Sequence, residues 1–185
     1  IKLCVGIVLL MGVYAGCVSF LKEIRNIDPG VAVDFWAGIY VFLILHLFMF
    51  DLSKVYQKGH RLLEIMFKFF MPLVKFAPYV LPVYAILIVA IYAVLNVVKP
   101  FEGITNYFMF LFGFSLALHL VFSSRTMRGK QKDYLRANYI FGFSLVFLIN
   151  ICFVAICMNN IFEKFSFVNF FNNAHNDAYG IFLAV

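Results

Sequence analysis

His46 and His119 each lie inside a long apolar run. An ionisable side chain at bilayer depth is costly to bury, so it marks a functional position by default. Imidazole has three chemistries to offer there. It can ligate a haem iron, relay a proton or hold a quinone headgroup. Two histidines on two helices at one depth form the axial pair of a membrane b-type cytochrome, and haem b is the cofactor that arrangement implies. A porphyrin also needs small residues where it lies flat, and Gly38 and Gly113 are the nearest. The competing reading is structural: each imidazole stays neutral on a neighbouring carbonyl or hydroxyl, or turns toward the headgroups.

Other chemistries find less support. The sequence has no H-E-x-x-H pair, no phosphate-binding glycine loop and no nucleotide fingerprint. No carboxylates pair inside a span, which weakens an ion-driven transporter. Cys4, Cys17, Cys152 and Cys157 all fall in apolar runs without zinc-type spacing and read as small hydrophobes. Tyr14-Ala15-Gly16-Cys17 has the outline of a lipidated-cysteine signal, but tyrosine is a poor residue three before the cysteine. His60, in a basic stretch, and His175, in a polar tail, read as solvated surface. Asn96 and Asn150 read as hydrogen-bonding glue between helices.

The elements that position the histidines follow from composition. The chain has 185 residues, 64% of them hydrophobic and only 13% charged, where soluble domains carry about 25% charged residues. The apolar residues fall in long uncharged runs, which excludes a soluble domain and predicts an all-α, polytopic transmembrane bundle. Five spans are expected, near residues 3–21, 35–50, 77–98, 105–122 and 137–158, so that residues 1–158 form the bundle. Within it, residues 53–76 mix Lys54, Lys58, Arg61, Lys68 and Lys75 with leucines and phenylalanines. That pattern predicts a basic amphipathic helix on the membrane surface, or an extension of the second span that packs on its neighbours. Residues 159–185, rich in phenylalanine and asparagine, read as an extracytoplasmic interfacial tail. The apolar string 179–185 reads as the start of a sixth span, and Ile1 and Val185 as cuts in a longer sequence.

Lysine and arginine set the orientation. They concentrate after spans two and four, including Arg125, Arg128, Lys130 and Lys132 in the loop 123–136. Positive charge marks the cytoplasmic side, which places the N-terminus inside and the tail after Met158 outside. Spans two and four then run the same way, and His46 and His119 sit within about one helical turn of the same depth. The net charge of +6 is satisfied by topology and by anionic lipid, without nucleic acid. The four basic loop residues are candidates for lipid or partner contact.

Small residues predict where helices meet. Gly12 and Gly16 stand four apart in the first span. The pentapeptide Phe-Gly-Phe-Ser-Leu occurs twice, with Gly113 and Ser115 in span four and Gly142 and Ser144 in span five. The two copies are expected to pack those spans as a hairpin. Neither serine is followed by the glycine an intramembrane serine protease uses; Leu116 and Leu145 stand there instead. The sequence thus predicts a non-catalytic membrane subunit or membrane domain of a larger complex, in contact with lipid and other subunits. A haem- or quinone-binding anchor on His46 and His119 is the first alternative, and a transporter component the second.

Overall fold

The computed structural model describes residues 2–48, 53–66, 80–98, 103–129 and 136–184. These form seven helices and, among the described residues, no strand: α1 (Lys2–Ile24), α2 (Pro29–Phe48), α3 (Ser53–Met66), α4 (Val83–Val98), α5 (Ile104–Gly129), α6 (Arg136–Ile161) and α7 (Phe167–Ala184). The helices α1, α2, α5 and α6 are long and apolar enough to cross a bilayer. The third expected span has a shorter described helix of 16 residues, α4, about 24 Å long. It starts just after Pro82, where proline's missing N–H costs a helix least. Residues 77–79 of that span lie outside the described residues. Large apolar side chains on these helices face outward, among them Leu47, Val94 and Val97. A soluble protein does not carry so much contiguous apolar surface. The architecture is that of an integral, multi-pass membrane protein.

The chain divides into two compact units, one of residues 1–28 with 126–185, the other of residues 29–125. In the second unit α2 opens on Pro29, whose fixed φ suits a first helical position. It therefore begins earlier than the expected Phe35, and Asp34 lies within the helix. The Asp34 carboxylate accepts a hydrogen bond from Asn106 Nδ2 at 2.5 Å. That bond, the close approach of Gly38 to Phe110 and the contact of His46 with Phe122 set α2 and α5 parallel. The helix α4 runs antiparallel to α5, with Tyr92 beside Thr105 and Phe108. The link between α4 and α5 turns at Gly103, whose φ of +84° is left-handed; a side chain there would be strained.

The crossing of α2 and α5 is backbone on backbone. A Cβ on Gly38 would overlap the Phe110 carbonyl, and one on Gly113 would overlap the Phe35 carbonyl. Without a hydrophobic force between helices in lipid, such close approach supplies the dispersion contacts that hold them together.

In the first unit α1 and α6 run parallel, Gly6 lying against Ile140 and Phe141, Gly12 against Leu148, and Gly16 against Leu148 and Ile151. Gly12 and Gly16 thus face α6 at ordinary contact distances, 3.6 Å and 3.8 Å for the nearest atoms. The two Phe-Gly-Phe-Ser-Leu copies fall in different units. Gly113 packs on α2, whereas Gly142 has Met127 Sδ 3.6 Å from where its Cβ would stand. Ser115 Oγ donates to the Phe112 carbonyl of its own helix, and Ser144 is fully buried.

Two segments differ from the sequence expectation. The helix α5 continues through residues 123–129, part of the expected loop, because no proline or glycine occurs between Gly113 and Gly129. Residues 167–184 of the expected tail form a full helix, α7, started by Ser166. The Ser166 Oγ accepts from the Asn169 N–H at 3.2 Å, a helix N-cap.

Candidate functional site

Residues of α2, α3 and α5 meet in one aromatic cluster of the second unit. Phe42 and His46 lie one turn apart on α2 with their rings stacked, centroids 5.7 Å apart and planes within 7°. Phe122 of α5 meets the edge of His46 at 5.3 Å and stacks on Tyr56 of α3 at 5.6 Å. Tyr56 in turn contacts His119, 6.2 Å away, and His60, 6.1 Å away. The two histidines singled out by sequence therefore flank one Tyr56–Phe122 stack. His46 packs against Phe122, one turn beyond His119 on α5.

Burial separates the two imidazoles. His119 is 4% exposed, and His46 is half-buried. His46 Nδ1 is itself buried, with no hydrogen-bond partner among the described residues.

A third histidine joins them. His60, expected on the surface, is half-buried because α3 turns Tyr56, Gly59 and His60 toward α4 and α5. The fit is close: a Cβ on Gly59 would come within 2.7 Å of the Tyr84 ring, and the Tyr84 hydroxyl donates to the Val55 carbonyl. Between these elements lies a small cavity lined by Tyr56, His60, Tyr84 and His119 with Gly59, Val83 and Leu118. About 10 Å³ of it is open to the centre of a water molecule, the threshold for holding one water. His60 Nδ1 lies 3.3 Å from Glu64 Oε1, one turn on along α3.

The haem arrangement does not fit this geometry. The space beside Gly38 and Gly113 that a porphyrin would use is filled by the opposing backbones. The rings of Phe42, Tyr56 and Phe122 pack between and around the histidines.

The helix α3 presents three faces. Tyr56 and Gly59 are buried in the unit, Lys54, Gln57, Arg61 and Glu64 are exposed, and Val55, Leu62 and Ile65 form a second exposed, apolar strip with Lys58. Within residues 53–66 the helix packs on its neighbours with one face and carries an apolar strip edged with lysine on another. Residues 67–76 lie outside the described residues.

In the first unit a helix that sequence reasoning missed is docked along α1. Glu23, near the end of α1 and 4% exposed, accepts from the Ser166 N–H at 3.3 Å, at the start of α7. A carboxylate there also meets the positive end of the α7 dipole. Asn159 Oδ1 accepts from the Phe167 N–H at 2.9 Å. One turn deeper, the Ser19 hydroxyl donates to the Phe170 carbonyl at 2.6 Å, and Phe20 packs on Phe165 and Phe170. Further along, Val8, Leu9, Met11 and Gly12 share an open groove of about 360 Å³ with His175, Ala178, Tyr179 and Phe182. Ser166 beside Glu23 and Phe170 beside Ser19 dock the first turn of α7 on the C-terminal end of α1.

A charged pair also joins the two helices: Lys22 Nζ lies 2.9 Å from Asp177 Oδ2. His175 is exposed, as expected, but it stands on a helix beside α1, its ring parallel to Tyr179 at 6.4 Å.

The remaining sequence candidates are more scattered. Asn150 Nδ2 donates to the Val146 carbonyl of its own helix, at 2.8 Å, and Asn96 is exposed. Arg125 is exposed on α5, Arg128 lies within that helix, and Lys130 and Lys132 fall outside the described residues. The four cysteines are free. Among the described residues no three histidine, cysteine or acidic side chains cluster as metal ligands. No protein-family model, curated protein or solved structure matches this chain.

Proposed function

We propose that this chain is an integral membrane subunit that helps hold a larger membrane complex together, working through its helix faces rather than through a catalytic centre. One observation carries this reading: α7 is docked on the apolar helix α1, yet turns Asn169, Asn172 and Asn176 outward. Lipid cannot satisfy carboxamides, so a face of this kind calls for protein against it. The apolar outer faces of α2 and α4 suit lipid, and the lysine-edged strip on α3 suits the anionic headgroup layer.

The parallel pairs α1 with α6 and α2 with α5 support an alternating five-span topology, in which odd spans run one way and even spans the other. With the basic segments 53–76 and 123–136 inside, the N-terminus is cytoplasmic. The C-terminal segment then starts outside, with the first turn of α7 on the outer end of α1.

The experiment is extraction from native membranes in mild detergent, followed by native-gel sizing and identification of what migrates with the chain. The expected result is a defined assembly larger than one chain in its micelle. A monomer that alone conducts ions or moves a solute in proteoliposomes would refute the reading.

A further inference from the structure

The cavity between α3, α4 and α5 brings three titratable side chains into one series of falling exposure. The Glu64 side chain is 50% exposed, that of His60 21%, and His119 is 4% exposed. Each step is short. His60 Nδ1 lies 3.3 Å from Glu64 Oε1, and His60 and His119 line the same cavity, which has room for one water. The series enters on α3 and ends on α5, about 9 Å along that helix from its first charged residue, Arg125. The walls hold this geometry. Tyr56 is buried beside both imidazoles, and the Tyr84 hydroxyl, donating to the Val55 carbonyl, clamps α3 to α4.

We propose that His119 is a buried proton-binding site, loaded from water through Glu64, His60 and one water molecule in the cavity. It pairs His119 with His60 instead of His46, and it does not rest on the subunit reading above. Imidazole suits both posts. Its charge changes near neutral pH, and its two nitrogens let it take a proton on one side and release another opposite. The neutral His60 starts with its proton on Nε2 and takes a second from Glu64 at Nδ1. The Nε2 proton passes to the water, and the water gives one of its own to His119. His60 ends neutral with its proton on Nδ1, the water is restored, and one positive charge has moved to His119. Return of the proton through the same atoms resets the His60 tautomer.

The surrounding charges leave this path to the imidazoles. Among the described residues, the other titratable groups lining the cavity are Tyr56 from α3 and Tyr84 from α4, and phenols stay neutral where histidine titrates. From α2 comes His46, on the far side of the Tyr56–Phe122 stack. Lys54, Lys58 and Arg61 of α3 and Arg125 of α5 are exposed, and none of them lines the cavity. With no fixed charge among the lining residues described, His60 and His119 decide where a proton in the cavity rests.

Nuclear magnetic resonance of the full chain, labelled with 15N-histidine in lipid nanodiscs, tests the proposal. The chain has four histidines, and H119Q identifies the His119 signals by their loss. His119 is expected to titrate reversibly between about pH 5 and pH 8, its ring N–H exchanging with water. H60F keeps a ring in the cavity wall but carries no proton. It is expected to slow exchange at His119 about a hundredfold, the low end of what a positioned proton-transfer group contributes. H60Q keeps hydrogen bonding in the cavity without a ring to pass a proton through, and is expected to show the same loss should H60F fail to fold. E64Q, at an exposed position, is expected to slow exchange by a smaller factor. A histidine and water with a purely structural role would leave exchange at His119 equal in the unmodified chain and in all three of these variants. That result, or a His119 held in one neutral form across the whole titration, would overturn the proposal.

Discussion

At the scale of single residues, the sharpest distinction lies among glycines. Gly38 and Gly113 face backbone carbonyls that cannot move aside, whereas Gly12 faces the flexible end of Leu148 at 3.6 Å. Gly38→Ala and Gly113→Ala should each destabilise the fold by about 3 kcal/mol, the upper range for overpacking. Gly12→Ala should be near neutral, because alanine is the better helix former. Thermal unfolding in detergent separates the cases, and equal effects at all three positions would contradict the crossing described. The same two crowded glycines bear on the cofactor question. Oxidised and dithionite-reduced absorption spectra of extracted protein should show no Soret band, since the backbone occupies the porphyrin's place. His46 and His119 were conspicuous because ionisable groups are rare in apolar runs. The sequence gives no comparable signal for Gly38 and Gly113, because glycine is common in membrane helices and nothing local shows which one meets backbone.

Among the elements, α1, α2, α5 and α6 were legible from long uncharged runs alone. The similar depth of His46 and His119 followed from counting residues to the end of each run. The helix α7 was not legible: four asparagines, a histidine and an aspartate interrupt its apolar residues, so an average over the segment hides an apolar face. Its start was encoded locally by Ser166, but that signal matters only once Glu23 and Asn159 are near. Those contacts join residues more than 140 positions apart in one case, Glu23 to Ser166, beyond any local pattern. The docking is open to test at Ser19. Ser19→Ala removes the hydrogen bond to the Phe170 carbonyl and should cost about 1 kcal/mol, with increased amide exchange across 166–172 as the readout. Exchange unchanged in that segment would mean that the bond does not hold α7. In α3, Lys58→Glu with Arg61→Glu should reduce retention of anionic lipid in native mass spectra, while Gln57→Glu, away from the apolar strip, should reduce it less.

For the molecule as a whole, orientation and the placement of α7 carry the account. A cysteine introduced in the segment 123–136 should be labelled only from the cytoplasmic side, and labelling from outside would invert the topology. The central claim is that α7 is docked on α1 with its amide face covered by protein. Nitroxide accessibility measures this most directly, with spin labels at positions 172 and 176 of the chain in lipid nanodiscs and a lipid-facing reference at Val94. The account predicts low collision rates at 172 and 176 with both oxygen and a water-soluble nickel reagent, and high oxygen access at 94. High nickel access at 172 and 176 would place α7 in water and contradict it.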